Sequence, residues 1–179
     1  MQICEVEGIR GLLPILCLYW QTFPYRERKT LGTLLRARAR GKLKLFGIYD
    51  EAHIFLGLAI LAANADLALL DYFAVTAKSR NRGVGSEALQ MVLQLYKEKR
   101  MVLEIERIDP SSKNAKQREK RRQFYLRNGL RSAKFYVFLY GIAMEVLTNS
   151  ASVSYQEYRE LLEDAFGTRY TKHVIQASK

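Results

Sequence analysis

The sequence predicts an α/β fold of mixed α+β type, a sheet flanked by helices, and three observations carry that prediction. Strand-length apolar runs recur through the chain, amphipathic helical stretches separate them, and short segments with Gly, Asn or Asp lie at the junctions. The chain has 179 residues, 49% of them hydrophobic, enough to fill one core. With 3 prolines and no repeat or low-complexity stretch it offers no linker. One domain is expected over residues 1–150, with a helix and tail over 151–179 packed on the same body.

Gln2 to Glu7 reads as an opening strand. Gly11 to Trp20 is apolar, but Glu5 and Glu7 stand where a secretory leader carries positive charge, no small-residue cleavage site follows, and the run is too short to span a bilayer. Leu12 to Phe23 therefore reads as a buried first helix, and a cytoplasmic location without membrane contact is expected. Leu31 to Arg40 is a second helix with one basic face. Leu43 to Tyr49 and Ile54 to Ala63 pair around the turn Asp50-Glu51-Ala52, and Leu67 to Thr76 is a third consecutive strand. After the glycine-bearing loop that follows, Ala88, Met91, Val92, Leu95 and Tyr96 recur on one helical face. Met101 to Glu106 is the next strand. Ala115 to Asn128 is a long helix stopped by Gly129, a residue suited to the left-handed conformation past a helix end. Arg131 to Phe138 and Ile142 to Leu147 pair around Tyr140-Gly141, and Ser154-x-x-Glu157 is a capping box for a last helix ending before Gly167.

The loop Arg80-Asn81-Arg82-Gly83-Val84-Gly85 lies between a strand and a helix. Its glycines let the backbone turn tightly and approach a ligand, and the helix behind it starts with unpartnered N–H groups that attract phosphate. A dinucleotide-binding turn would need a third glycine where Ala88 stands. The pattern from Val75 through Arg80, Gly83 and Gly85 resembles the acyl-CoA-binding motif of the GNAT superfamily of N-acyltransferases. Phe124-Tyr125-Leu126-Arg127-Asn128-Gly129-Leu130 resembles a second motif of that superfamily, with Leu130 in place of the usual Phe. Together with Leu103 to Glu106 and the basic stretch ending at Phe124, they resemble a bacterial subgroup of these proteins, many without an assigned substrate.

The resemblance implies a mixed, mostly antiparallel sheet of about seven strands in which strands 4 and 5 part at one end to admit the donor. It implies acetyl-CoA as donor and an amine, on a small molecule or a protein, as acceptor, with direct attack in a ternary complex. Phe73, Ala74 and Val75 would meet the pantetheine arm, Arg80, Asn81, Arg82, Gly83, Val84, Gly85 and Ser86 the pyrophosphate, and Asn114 the cofactor or the acceptor. Main-chain N–H groups near Val75 would donate to the thioester oxygen, and Tyr125 would protonate the departing sulfur.

Strand alternation puts Val102, Glu104 and Glu106 on one face. If that face meets the acceptor cleft, one carboxylate takes the ammonium proton while the other holds the cationic substrate, with Glu106 preferred as the nearer to the strand end. The alternative is ion pairing with the surrounding arginines. The net charge of +11 is concentrated between Arg26 and Lys44 and between Lys113 and Lys134. These clusters suit steering of polyanionic CoA, solvated helix faces, or an RNA- or ribosome-binding module with little turnover.

Cys4 and Cys17 are too few for a disulfide framework and are expected as small buried hydrophobes in a reducing compartment. His53 and His173 have no ligand spacing, so neither a metal centre nor a His-dependent triad is expected. His53 reads as a strand-edge residue.

Overall fold

The apolar runs become strands largely within their expected bounds, because each buries one or both faces. The structure, a computed structural model, describes residues 1–177. The last two residues of the expected C-terminal tail lie outside it. In chain order the elements are β1 (Gln2–Glu5), α1 (Ile9–Thr22), α2 (Leu31–Ala39), β2 (Leu43–Tyr49), β3 (Phe55–Ala63), β4 (Leu67–Val75), α3 (Val84–Leu95) and β5 (Arg100–Glu106). Next come α4 (Ala115–Arg127), β6 (Arg131–Leu139), β7 (Ile142–Thr148), α5 (Tyr155–Phe166), α6 (Thr168–Thr171) and β8 (Val174–Ala177).

The sheet has eight strands in the order β1-β2-β3-β4-β5-β7-β6-β8. About seven were expected. The extra one is the four-residue edge strand β8, paired with β6, too short to show an alternation of its own. Every neighbouring pair is antiparallel except β4 and β5.

Two apolar layers cover the sheet. One joins α1, α2 and α5 to the face carrying Leu58, Ile60, Leu69 and Val102. The other joins α3 and α4 to the face carrying Ala59, Leu61, Leu70 and Leu103. Leu161 and Leu162 on α5 are 0% exposed, and burying a leucine contributes about 1.5–3 kcal/mol, so the C-terminal helix belongs to the first layer. Its capping box is complete, with Ser154 accepting from the Glu157 amide and the Glu157 carboxylate accepting from the Ser154 amide.

Three local expectations are corrected. Cys4 and Cys17 are both exposed, because their strand and helix positions face outward. Helix α1 is not buried all round: it turns Ile15, Leu16, Leu18 and Tyr19 inward and leaves Ile9, Leu13 and Trp20 in solvent. His53 is an exposed turn residue with φ 59°, not a strand edge.

Two irregularities shape the centre of the sheet. Strands β4 and β5 pair only where Leu67, Ala68 and Leu69 meet Arg100, Met101 and Val102, although β4 continues to Val75 and β5 to Glu106. The strands separate beyond that point. On its other side β4 pairs with β3, where Ile60 faces Tyr72 while Leu61 faces Leu70, which leaves Asp71 as the extra residue of a β-bulge. The bulge breaks the alternation, so Asp71 and Tyr72 both turn toward the α1 and α5 face. Gly57 on β3 makes this close packing possible, since a Cβ there would stand 2.5 Å from the Ala74 carbonyl oxygen.

Candidate active site

A cavity of about 1640 Å³ runs through the gap between β4 and β5 and opens on both faces of the sheet. On the α3 side its wall includes Arg80, Asn81, Gly83, Gly85, Ser86 and Tyr125. On the α1 side it includes Tyr25, Arg28, Lys29, Glu104, Tyr140 and Tyr170.

The α3 end is a nest of backbone donors. Asn81 and Gly83 have φ of 59° and 80°, which curls the loop, and Gly83 caps the helix with no side-chain hydrogen bond. The carbonyl of Gly83 accepts from the amides of Ser86 and Glu87. The amides of Asn81 through Gly85 have no acceptor among the described residues. Such a concave set of donors at a helix N-terminus fits phosphate. Phe73, Ala74 and Val75 also line the cavity, whereas Arg82 and Val84 do not. The Thr76 amide donates to the Leu56 carbonyl on β3 at 2.8 Å, so the ladder's alternation turns the preceding Val75 N–H toward the gap.

Tyr125 reaches the same cavity from α4. Its ring packs edge-on to Phe124, and burial pushes its hydroxyl up to about 12 against the opposing influence of Arg121. The hydroxyl is therefore protonated at neutral pH. The Asn-Gly end of the motif is mechanical. Asn128 Nδ2 donates to Ser86 Oγ at 3.2 Å and ties α4 to the start of α3, while Gly129, at φ 91°, lets the Leu130 amide return to the Tyr125 carbonyl.

The two candidate carboxylates part company. Glu104 lines the cavity and accepts a hydrogen bond from the Tyr158 hydroxyl on α5 at 2.5 Å. Burial pushes its carboxyl above the ordinary range, while Lys29 and the Tyr158 bond pull it back. Glu106 does not line the cavity. It pairs with Arg118 at 2.7 Å and Arg121 at 3.4 Å, both on α4, and is 7% exposed. Of the two carboxylates expected to face the acceptor, Glu104 is therefore the one the cavity reaches, and Glu106 takes the alternative of ion pairing with arginines. Asn114 does not line the cavity either: its amide nitrogen lies 3.4 Å from Glu106 and its oxygen accepts from Arg118 Nε at 2.9 Å. It fastens the start of α4 to β5.

Several residues of the site had not been singled out in the sequence. Lys29, in the segment between α1 and α2, enters a box formed by Asp71 at 2.6 Å and the rings of Phe166, Tyr170 and Tyr72 at 4.5, 4.8 and 5.4 Å. Burial works against this ammonium, but Asp71, Tyr170, Tyr72 and Glu104 outweigh it and hold Lys29 well above its usual range. The Tyr72 hydroxyl donates to the Glu27 carbonyl and accepts from the Lys29 amide, each at 2.9 Å, and Tyr19 donates to the Lys29 carbonyl. The segment is thus pinned across the gap. Glu27 also lines the cavity, its carboxyl raised by burial and by Glu106.

Several residues of the two basic clusters serve as internal tethers. Arg118 and Arg121 hold Glu106, Arg122 holds Glu145 at 2.8 Å, Lys42 and Lys44 hold Asp164 and Glu5, and Arg40 donates to the Ala165 carbonyl. Among the described residues no group of side chains could hold a metal ion, and no helix is long and apolar enough to cross a membrane.

A family model described as acetyltransferase (GNAT) family matches residues 12–130. No curated protein matches the sequence. Among solved structures, a GNAT-family protein from Bacteroides thetaiotaomicron superposes with a TM-score of 0.79 at 20% identity, covering 94% of this chain and 99% of that one. The ribosomal-protein-S18-alanine N-acetyltransferase of Escherichia coli gives 0.61 at 16% identity, over 86% of this chain and 95% of its own. A GNAT acetyltransferase from Elizabethkingia anophelis with acetyl-CoA bound gives 0.52 at 14% identity, over 82% and 95%. These likenesses establish a shared fold.

Proposed function

The chain belongs to the acetyltransferase (GNAT) family, and on that premise we propose that the two ends of its cavity receive the two substrates of acetyl transfer to an amine. The observation that carries this reading is the single passage through the β4–β5 gap, with unpartnered amides at one end and Glu104 at the other. Acetyl-CoA is the acyl donor, and it supplies an activated acetyl group as a thioester.

The amides of Asn81 to Gly85, with Arg80 beside them, would hold the pyrophosphate, and the free edges of β4 and β5 would hold the pantetheine arm. The Val75 N–H would donate to the thioester oxygen, a type of preorganised donor whose loss costs about 2.7–4 kcal/mol in catalysis. Glu104, its carboxyl raised above the ordinary range by burial, would take the proton from the acceptor ammonium, directly or through water. Tyr125 would return a proton to the sulfur, since its raised hydroxyl remains protonated throughout the working range. Glu106, Asn114 and Arg118 keep α4, and with it Tyr125, in place.

Acetyl-CoA should raise the thermal stability of the protein, by about 2.7 kcal/mol at a hundred times its dissociation constant. Gly83→Val should abolish that gain. The backbone there has φ 80°, which a β-branched residue adopts only under strain, and the added side chain would stand where phosphate must approach. An undiminished shift in Gly83→Val, read by calorimetry, would remove the loop from the donor site. Tyr125→Phe should leave acetyl-CoA affinity unchanged and lower turnover about 10²–10⁴-fold, the usual contribution of one positioned acid. Wild-type turnover in that variant would take Tyr125 out of the reaction.

A further inference from the structure

The acceptor end of the cavity carries charge of both signs. Its interior holds the Glu104 carboxylate and the Lys29–Asp71 ion pair, while Arg26, Glu27 and Arg28 line it from the segment joining α1 and α2. Other basic residues of that stretch are engaged: Lys29 with Asp71, Lys42 with Asp164, Lys44 with Glu5, and Arg38 and Arg40 with backbone carbonyls. Arg26 and Arg28 form no ion pair among the described residues.

Two buried polar atoms on this wall are unmatched. Arg28 Nε has no hydrogen-bond acceptor, and Asp71 Oδ2 has no donor, although the Asp71 side chain is only 2% exposed. Groups of this kind are normally satisfied in a folded protein, and both residues line the cavity. The Arg28 guanidinium is held 5.8 Å from the ring centre of Tyr25, at the exposed lip of the same segment. A guanidinium offers its donors as a planar fork that matches a carboxylate or phosphate.

Resting on the reading of the cavity as an acetyl-transfer site, we propose that the acceptor is an amine bearing its own anionic group, carboxylate or phosphate. Its anion is seated on Arg28 and Arg26, and its amine reaches inward to Glu104. The anion then meets the two arginines that form no ion pair, and the ammonium meets the Glu104 carboxylate. A polyamine, by contrast, would bring a second cation against the two free arginines, a like-charge contact that disfavours binding.

The test is a set of matched acceptor pairs assayed with acetyl-CoA and detection of the released thiol. L-ornithine is compared with putrescine, its counterpart without the carboxylate, and glucosamine 6-phosphate with glucosamine. In at least one pair the anionic member should have the higher kcat/KM by about 10- to 100-fold, as expected for charge-assisted hydrogen bonds. The pair that shows it identifies carboxylate or phosphate. Arg28→Ala should raise KM for that acceptor by a similar factor, with a much smaller change in KM for acetyl-CoA. Arg28→Lys, which keeps the charge but not the fork, should fall between. Equal or better use of putrescine and glucosamine would overturn the proposal, as would an Arg28→Ala defect that falls on acetyl-CoA. If acetyl-CoA stabilises the protein but no anionic amine is acetylated, the acceptor class is wrong and the donor site stands. If acetyl-CoA does not stabilise it, both fall.

Discussion

Glu104→Gln is expected to lower kcat by about 10²–10⁴-fold while leaving acetyl-CoA binding intact, because a positioned base contributes on that scale. The amide keeps the size of the side chain and can still accept from Tyr158, so the loss would be one of proton uptake. Glu106→Gln should be much milder in turnover, since Glu106 answers to Arg118 and Arg121 outside the cavity. The pH profile separates the roles further. A base works only when deprotonated, and burial raises the Glu104 carboxyl, so activity should rise with pH through a value above the usual carboxylate range. Tyr158→Phe removes a hydrogen bond that favours the ionised form and should move this acid limb to higher pH. An acid limb that stays in place in Tyr158→Phe, together with full activity in Glu104→Gln, would dismiss Glu104 as the base.

Lys29→Met should destabilise the protein by about 3–5 kcal/mol, the cost of leaving a buried charge without its partner. The Lys29 and Asp71 side chains are 6% and 2% exposed, so solvent cannot replace the lost ammonium. For a chain of this size the melting temperature should fall by roughly 6–20 °C. The double variant Lys29→Met with Asp71→Leu should recover most of the loss, since two apolar groups in the Phe166, Tyr170 and Tyr72 box leave no orphan charge. A double variant no more stable than Lys29→Met would mean that the box depends on more than this pair. The single change should also disturb catalysis, because Lys29 moderates the Glu104 carboxyl and its backbone anchors the segment carrying Arg26 and Arg28.

The loop end of the proposed site was legible in the sequence, and the end around Lys29 was not, for a physical reason. The loop Arg80 to Gly85 is contiguous, and its glycines, the strand before it and the helix after it follow from local rules of backbone freedom and periodicity. The box around Lys29 is assembled from the segment before α2, from β4 and from the C-terminal helices, so no window of sequence contains it. Lys29 read as one member of a basic cluster. Asp71 lay inside an apolar run and passed as strand, although an aspartate in a buried strand is itself a signal of a partner. The bulge that turns Asp71 and Tyr72 to the same face is a tertiary feature. Alternation groups Glu104 with Glu106 but does not show their partners, because Tyr158 and Arg118 come from helices in different layers.

The central claim is that acetyl-CoA enters through the nest of free amides and the parted strands. Amide chemical shifts followed by NMR during titration with acetyl-CoA test it most directly. The largest changes should fall on Asn81 to Gly85 and on Val75, donors without an acceptor among the described residues. Saturating acetyl-CoA that leaves those amides unmoved, or that shifts only residues remote from the β4–β5 gap, would contradict it.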